Sequence, residues 1–305
     1  MTGSTPDPLR SQLIQRIREL SCPLSPIPTD ATAQPYSLRK IRAVLFDVYG
    51  TLLVSGAGEV GTTKDVPVET DLSACLTAAG FSGDTEEAGI CLADRLRREI
   101  HGLHEVRREE GVEYPEVDIL KVWQEVLYAL RAEGLLRGNV TGEAVQRLAV
   151  EYECLVNPVW PMPGMVETLH GLRDRGIKLG LVSNAQFFTP LLFAAFGYAT
   201  WEELGIDETC CAWSYELLEA KPSPNLFEKA LQVLEESHGI RAEEVLYIGN
   251  DMWNDVWGAA KMGMPALLFA GDTRSLRWRE DLPICASLQP SGVAVRLIDL
   301  LAWFD

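Results

Sequence analysis

The sequence predicts an α/β fold in which a doubly wound parallel sheet is interrupted by an inserted bundle of α-helices. One observation is an apolar run that ends in an acid, Ile41 to Asp47, as in a buried strand of a parallel sheet. Another is the alternation of strand-like and helical segments from Pro161 onward, which builds a parallel sheet covered by helices. The stretch between them, from Val68 to about Val156, is helical almost throughout, and long helices with short links form antiparallel bundles. A parallel sheet covered by helices in this way is Rossmann-like.

The chain divides into three parts in this interpretation. Residues 1–40 contain an amphipathic helix, Pro8 to Leu20, followed by a proline-rich tether. Residues 41–55 and 161–305 form the α/β core, and residues 56–160 form a helical cap. The apolar face of the first helix must cover either its own domain, which we prefer, or a partner subunit in a homodimer.

The cap is expected to contain four helices joined to the core by a hinge. The helical segments fall at about 69–79, 84–110, 117–133 and 141–155. The glycines at Gly56, Gly58 and Gly61 predict the hinge, because a glycine-rich stretch can change its backbone conformation at little cost. A bundle attached there can close over the edge of the sheet.

The link between the second and third cap helices, Gly111 to Pro115, should lie at the hinge end of an antiparallel bundle. We expect Glu113 and Tyr114 to contact the part of a substrate that does not react. The alternative is a plain turn between two helices.

The rest of the core is expected to follow in regular order. The predicted elements are a helix at 164–175, a strand at 177–183, a helix at 187–196, a strand at 210–214, a helix at 223–236, a strand at 245–249, a helix at 253–262, a strand at 266–270, and a tail, 288–304, that ends as a helix. Such an order places successive strands in one parallel sheet.

Composition and charge exclude several classes of protein. The 305 residues are 47% hydrophobic and 23% charged, and no run approaches the ~18 apolar residues of a membrane span. The first residues lack the basic and apolar regions of a secretory signal. The seven cysteines are scattered and include no Cys-x-x-Cys pair, which indicates reduced thiols. We therefore expect a cytoplasmic protein. A formal net charge of -17 repels nucleic acid and anionic membranes. The expected partner is a small molecule.

Polar side chains follow the ends of three predicted strands. Asp47 ends the first strand, where a carboxylate can act as a nucleophile, as a magnesium ligand, or as a simple cap of the following turn. Ser183 and Asn184 end the next core strand and offer a hydroxyl and an amide to a phosphoryl oxygen. Ligands of open α/β sheets bind at the carboxyl ends of the strands, so these groups should lie together.

Two further groups complete the set. Lys221 stands just before a helix that begins with proline, a residue favoured in the first turn. Asp251 and Asp255 follow the strand at 245–249. Phosphoryl transfer depends mainly on positioning and on neutralising charge, and Mg²⁺ prefers oxygen ligands, so nucleophile, hydroxyl, lysine and paired acids suit this reaction.

With these residues the sequence resembles the haloacid dehalogenase superfamily, whose members are mostly phosphohydrolases. The resemblance covers Ile41–Leu53 and Pro161 to about Gly271, with all four family motifs in order, and the insertion resembles that family's C1-type helical cap. The resemblance implies these roles: Asp47 as the nucleophile that is transiently phosphorylated; Ser183, Asn184 and Thr51 as substrate contacts; Lys221 as the neutralising cation; and Mg²⁺ held by Asp47, the backbone carbonyl of Tyr49, Asp251 and Asp255.

The sequence departs from the phosphatase pattern at one position. Phosphatases of this family usually have a second Asp two residues after the nucleophile as general acid and base, and this chain has Tyr49. General acid–base help is worth about 10²–10⁴ in rate. The family's metal-free 2-haloacid dehalogenases have the same Asp-x-Tyr-Gly-Thr form, although their fourth motif lacks the acids seen at Asp251 and Asp255.

Three functions remain open from the sequence. The preferred one is a magnesium-dependent phosphohydrolase of a small phosphorylated metabolite. The others are a metal-free dehalogenase and a family member whose catalysis has decayed into binding or regulation. A leaving group that needs no proton, such as that of an acyl phosphate, would tolerate Tyr49.

Overall fold

The structure, a computed structural model, describes residues 7–58, 72–198 and 200–304. Its strands in chain order are β1 (Ala43–Phe46), β2 (Leu53–Ser55), β3 (Ser82–Gly83), β4 (Leu136–Arg137), β5 (Val159–Pro161), β6 (Lys178–Ser183), β7 (Ala212–Trp213), β8 (Val245–Gly249), β9 (Ala266–Phe269) and β10 (Gly292–Ala294). Its α-helices are α1 (Pro8–Leu20), α2 (Ser73–Ala78), α3 (Thr85–Glu109), α4 (Ile119–Ala132), α5 (Gly142–Val156), α6 (Met165–Asp174), α7 (Thr189–Ala195), α8 (Ser214–Leu217), α9 (Pro224–His238), α10 (Gly258–Lys261) and α11 (Pro283–Ser287).

A parallel sheet of six strands forms the core, in the order β10-β9-β8-β1-β6-β7. All four residues of β1 are buried, which agrees with its apolar sequence and its place inside the sheet. Phe46 of β1 pairs with Leu181 of β6 on one side and with Ile248 of β8 on the other. The residues that follow β1, β6 and β8 therefore meet at one edge of the sheet, which we call the catalytic edge.

The helical insertion leaves the core through β2 and returns through β5. These two strands pair antiparallel, with Val54 opposite Trp160, and so form a two-stranded connection between the insertion and the core. Helices α2 to α5 pack around buried apolar side chains, among them Trp123, whose ring meets that of Tyr152 edge-on at 5.0 Å. The predicted cap helices are confirmed from Ser73 onward, whereas Gly61 and the start of the first predicted segment lie outside the described residues.

Helix α1 covers its apolar face with its own chain. Asp7 caps its first turn by accepting the backbone N–H of Leu9 at 3.0 Å, and Leu13 and Ile17 are buried. The helix packs against both α5 of the insertion and α7 of the core. The homodimer is therefore not needed to bury this face.

The tail differs in part from the prediction. Residues 292–294 form β10, which extends the sheet beside β9, and only residues 297–303 form a helix, of the 3-10 type. The outer side of β10 is held by the proline-rich tether, because Gln34 and Val293 exchange two backbone hydrogen bonds of 2.8 and 2.9 Å. A strand of three residues fixed by a segment far away in sequence has no local pattern to predict it.

Three findings bear on the expected compartment. Within the described ranges, no helix combines the length and the apolar character that a membrane crossing requires. None of the seven cysteines, all of which are among the described residues, forms a disulfide. Four of them, Cys75, Cys210, Cys211 and Cys285, are buried, as expected of thiols that serve mainly as small apolar side chains.

Candidate active site

Asp47 lies at the centre of the catalytic edge. It directly follows β1, is 5% exposed, and its backbone N–H donates to the carbonyl of Ile248 at 2.9 Å. Ser183, the last residue of β6, donates its hydroxyl to Oδ1 of Asp47 at 2.9 Å. The turn that follows requires glycine at Gly50, because its φ is +83° and a Cβ there would collide with Ser275.

Lys221 joins two carboxylates beneath this edge. Its Nζ lies 2.6 Å from Oδ1 of Asp47 and 2.6 Å from Oδ1 of Asp255, and it donates to the hydroxyl of Tyr247 at 3.1 Å. Burial alone would lower the pKa of Lys221, but the charges of Asp255 and Asp47 outweigh burial and raise it. The lysine is therefore charged at neutral pH and neutralises the nucleophile candidate.

Asp255 is buried behind the lysine. Its Oδ1 also accepts from the Tyr247 hydroxyl at 3.2 Å, and its Oδ2 accepts the backbone N–H of Asp251 at 2.9 Å. Burial raises the pKa of Asp255, and the charge of Lys221 opposes that rise. The residue stands on a single π-helical turn, Met252–Trp257, an irregularity often found at functional sites.

Asp251, which the sequence predicts as a magnesium ligand, is paired with an arginine in the structure. Its carboxylate accepts two hydrogen bonds from the guanidinium of Arg279, one from Nε at 3.0 Å and one from Nη2 at 2.5 Å. It also caps the π-helical turn by accepting the backbone N–H of Trp253 at 2.8 Å. Arg279 adopts a left-handed backbone conformation with φ +52°, which is unfavourable for a side chain of this size. One of the four predicted magnesium ligands is thus paired with a cation.

Tyr49 and Thr51 both point into the protein. Tyr49 is 4% exposed, and its hydroxyl forms a 2.9 Å hydrogen bond with the hydroxyl of Thr189. Burial, and after it the charge of Glu153, raises the pKa of Tyr49 well above its ordinary value. Thr51 is completely buried and donates to the side-chain oxygen of Asn250 at 3.1 Å, so it supports the edge from behind.

A small cavity of about 70 Å³ opens at the catalytic edge. It is lined by Asp47, Tyr49, Gly58, Asn184, Lys221, Asn250, Asp251, Asn254 and Asp255. Six of the site residues predicted from the sequence therefore line this cavity: Asp47, Tyr49, Asn184, Lys221, Asp251 and Asp255. Ser183 contacts Asp47 but does not line the cavity, and neither does Thr51. Sequence reasoning missed Asn250, although it directly follows β8 as Asp47 follows β1.

A larger cavity of about 210 Å³ lies between the helical insertion and the core. It shares Asn184 with the small cavity, and its wall is mostly apolar, with Ile100, Trp123 and Phe188 among the lining residues. Among the described residues that line it, there is no lysine or arginine. The two cavities together provide a charged compartment and an adjoining apolar one.

The link between α3 and α4 rests on the catalytic edge, as its predicted place in the bundle requires. Its backbone bonds to the core, with Ala220 N–H donating to the carbonyl of Tyr114 at 2.8 Å, and the Tyr114 ring lies 6.5 Å from that of Trp253. Glu113 is exposed, and neither it nor Tyr114 lines the larger cavity. The next residues along, Pro115 to Val117, line it instead.

The larger cavity contains polar groups with few partners. Burial raises the pKa of Glu116 to about 7 and that of Glu153 to about 7. The hydroxyl of Tyr152 and Nε2 of His104 are buried without a hydrogen-bond partner among the described residues. Such groups are costly unless a bound molecule satisfies them, so the cavity suits a ligand that is apolar with one or two polar atoms.

The chain is similar to known proteins in both sequence and fold. A sequence model described as haloacid dehalogenase-like hydrolase matches residues 41–263. A glyceraldehyde 3-phosphate phosphatase of Methanopyrus kandleri is 28% identical over 231 residues, which are 73% of this chain and 82% of that protein. A protein of the same name from Methanothermobacter thermautotrophicus is 31% identical over 115 residues, 35% of this chain and 44% of that relative. Among solved structures, a 2-haloacid dehalogenase from Pseudomonas syringae pv. Tomato gives a TM-score of 0.57 at 18% identity, covering 86% of this chain and 97% of the other.

The structural likeness concerns the fold alone, whereas the family match includes the residues of the catalytic edge. Residues 41–263 span Asp47, Ser183, Lys221 and Asp255, together with the whole helical insertion. The chain therefore belongs to the haloacid dehalogenase-like hydrolase family and is a hydrolase.

Proposed function

We propose that this hydrolase is a magnesium-dependent phosphatase of a small phosphorylated metabolite, acting through an aspartyl-phosphate intermediate. The observation that carries the proposal is the placement of Asp47. Its Oδ1 is held by Ser183 and Lys221, whereas its Oδ2 receives no hydrogen bond from the described residues. Asp47 is also one of the residues that line the small cavity. A carboxylate fixed through one oxygen and open at the other is suited to nucleophilic attack.

The reaction proceeds in two displacements. An oxygen of Asp47 attacks the phosphorus, the bond to the leaving-group oxygen breaks, and an acyl phosphate forms. Water then attacks that phosphorus, which releases inorganic phosphate and restores the carboxylate. Lys221 neutralises charge on the phosphoryl group, and Asn184, shared by both cavities, binds one of its oxygens.

The leaving group determines how well this site works. Tyr49 cannot donate a proton at neutral pH in the way an aspartic acid does, because its pKa is raised and its hydroxyl is bonded to Thr189. Substrates that release a weakly basic group, such as acyl phosphates, should therefore react faster than ordinary alkyl phosphates.

Magnesium belongs to this proposal because of the charge in the small cavity. Three carboxyl groups and one ammonium group line it, so a phosphate dianion needs an additional cation in order to approach. The donors are oxygens, which suit Mg²⁺. The free Oδ2 of Asp47 and the backbone carbonyl of Tyr49 would hold the ion, and Asp251 and Asp255 would add negative charge around it. When bound, the ion would offset repulsion between the carboxylate and the phosphate.

The larger cavity is the proposed place for the leaving group. A cavity of 150 Å³ is large enough for benzene, so about 210 Å³ accepts a group somewhat larger than one aromatic ring. Its described wall contains Glu116 and Glu153 and no cationic side chain, so a neutral leaving group should bind better than one with a carboxylate. Neither Glu113 nor Tyr114 lines either cavity, and their substrate-binding role remains a prediction.

The metal-free dehalogenase is the second candidate, and one observation favours it. The carboxylates of Asp251 and Asp255 are engaged by Arg279 and Lys221, as expected if no metal is required. The wall of the larger cavity argues against it, because a small halogenated acid is itself an anion. The expected compartment for either enzyme is the cytoplasm, where the cysteine thiols would stay reduced.

One experiment separates the candidates. The purified protein is assayed for phosphate release from a panel of phosphorylated metabolites with and without Mg²⁺, and for chloride release from 2-chloropropionate. Glyceraldehyde 3-phosphate opens the panel because two relatives bear its name, and acetyl phosphate represents the weakly basic leaving groups. We expect magnesium-dependent phosphate release, fastest with acetyl phosphate. Chloride release without metal, and no phosphate release, would contradict the proposal.

A further inference from the structure

We propose that Asp207, Cys210 and His238 form a zinc-binding site on the side of the sheet opposite the catalytic edge. Their ligand atoms, one carboxylate oxygen, the thiol sulfur and one imidazole nitrogen, all lie within 4.8 Å of one another. Among the described residues this is the one such group of three His, Cys, Asp or Glu side chains.

The residue types point to the metal. A thiolate and an imidazole together favour zinc over magnesium or calcium, which prefer oxygen ligands. Bond lengths of about 2.0–2.3 Å in a tetrahedral site place neighbouring ligand atoms roughly 3.3–3.8 Å apart. The imidazole Nε2 of His238 and Oδ2 of Asp207 are already 3.5 Å apart. Three protein ligands would leave the fourth position to water.

Asp207 and Cys210 are held in place by one turn. Asp207 caps the short 3-10 helix Glu208–Cys210, and its Oδ1 accepts both the backbone N–H of Thr209 at 3.0 Å and its hydroxyl at 2.6 Å. These bonds orient the carboxylate and leave Oδ2 facing His238. Cys210 is completely buried against β6, where Gly180 makes room, because a Cβ at that position would collide with Cys210.

His238 comes from a different element. It is the last residue of α9, which ends at Gly239 with φ +60°. Arg42 donates to the carbonyl of Gly239 at 2.9 Å and to that of His238 at 3.4 Å, which fixes the end of the helix. A metal here would connect the turn before β7 to the far end of α9. Such a connection constrains the fold more than two ligands on one turn would.

The site is separate from the hydrolytic machinery. The backbone N–H of Asp207 donates to the carbonyl of Leu179, near the start of β6, whereas Ser183 ends that strand. At about 3.3 Å per residue the two ends are roughly 13 Å apart. The proposal is therefore independent of the proposed phosphatase activity, and zinc bound here should affect stability more than turnover.

Cobalt and zinc binding test the site in the full chain after removal of any histidine tag. With Co²⁺ we expect the near-ultraviolet absorption of a thiolate–cobalt bond at one equivalent per chain, displaced by Zn²⁺. Cys210→Ala and His238→Gln should weaken Zn²⁺ binding by roughly 100-fold or more, since each removes a ligand. Cys211→Ala is the matched control, because Cys211 is the neighbouring buried cysteine but is not in the cluster.

A thermal measurement complements the spectra. Zn²⁺ at a hundredfold excess over its dissociation constant should raise Tm by about 5 °C in the wild type and in Cys211→Ala, and should leave His238→Gln unchanged. His238 is partly exposed, so His238→Gln should fold even if Cys210→Ala does not. The absence of a thiolate–cobalt band in the wild type, or an equal zinc affinity in His238→Gln, would overturn the proposal.

Discussion

The two cavities at the catalytic edge differ in whether their acidic side chains have a cationic partner. In the small cavity, Asp47 and Asp255 share the buried ammonium of Lys221 at 2.6 Å each. In the larger cavity, Glu116 and Glu153 are buried without any cation, and burial raises the pKa of each to about 7. The first arrangement sets a cation against the burial that raises the pKa of Asp255, whereas the second leaves burial unopposed by any cation beside the proposed place of the leaving group.

The difference shows that burial alone does not determine what an acid does in this protein. Coulomb attraction to Lys221 opposes the effect of burial on the pKa of Asp255, whereas no cation opposes it at Glu116 or Glu153. Changes in the small cavity should therefore act mainly on catalysis, and changes in the larger one on pH dependence and selectivity.

The largest effect is expected from Asp47→Asn. This variant keeps the shape of the side chain but removes the nucleophile, so phosphate release should fall by at least about 10⁴-fold. Steady-state kinetics give the rate, and circular dichroism checks the fold. Asp174→Asn, at an exposed aspartate, is the control and should keep full turnover. Full turnover in Asp47→Asn would exclude a covalent mechanism.

The next effect tests the shared cation. Lys221→Met should leave Asp47 and Asp255 as an unneutralised buried pair, which should lower the free energy of unfolding by about 3 kcal/mol and turnover by about 10²–10³-fold. Urea unfolding and kinetics measure the two losses. Lys229→Met removes a partly exposed lysine paired with Glu216 at 2.8 Å and should cost at most about 1 kcal/mol. Equal destabilisation by the two variants would mean that the buried lysine stabilises the fold no more than an exposed one does.

A smaller effect concerns pH. The pKa of Glu153 is about 7 in the folded protein and 4.5 ordinarily, so the folded state binds its proton more tightly. Stability should therefore fall as pH rises from about 4.5 to 7, by about 2–3 kcal/mol. Glu153→Gln should remove that loss, and so should be more stable than the wild type at pH 8 and similar to it at pH 4.5.

Unfolding by urea at the two pH values measures this difference. Glu143→Gln, at an exposed position of the same helix, is the control and should show the pH dependence of the wild type. A wild-type stability that rises across this range, with Glu153→Gln unchanged, would show that the acid is ionised when buried.

The smallest expected effect is on selectivity. Ala149 lines the larger cavity on α5, and Ala149→Leu fills part of it. Discrimination against phosphate esters with ring-sized leaving groups should increase by about tenfold in kcat/KM, because such steric contacts are worth ~1–3 kcal/mol. Hydrolysis of acetyl phosphate, which does not reach that far, should change little. Ala132→Leu, exposed on α4, is the control, and a uniform loss with all substrates would place the leaving group elsewhere.

Sequence reasoning succeeded where the signal was local. The structure confirms β1, which was predicted from its apolar run, and α3 to α5, which were predicted from their helical periodicity. It also confirms that β6 and β8 end at the polar residues that were expected to follow them. Sequence reasoning could not predict the pairing of Asp251 with Arg279, because the partners are 28 residues apart and no pattern links them. Nor did it identify Glu116 and the more distant Glu153, which line the larger cavity, while the substrate contacts expected at Glu113 and Tyr114 stay a prediction.

The position of α1 has a consequence for the rate of the catalytic cycle. Arg16 is bonded to Glu151 of α5 at 2.5 Å, and Arg18 donates to the carbonyl of Ala195 in α7 at 3.0 Å. One short helix is therefore attached to both the insertion and the core. If the insertion rotates about β2 and β5, as the predicted hinge requires, one of these attachments must break. We therefore expect α1 to add to the activation free energy of product release.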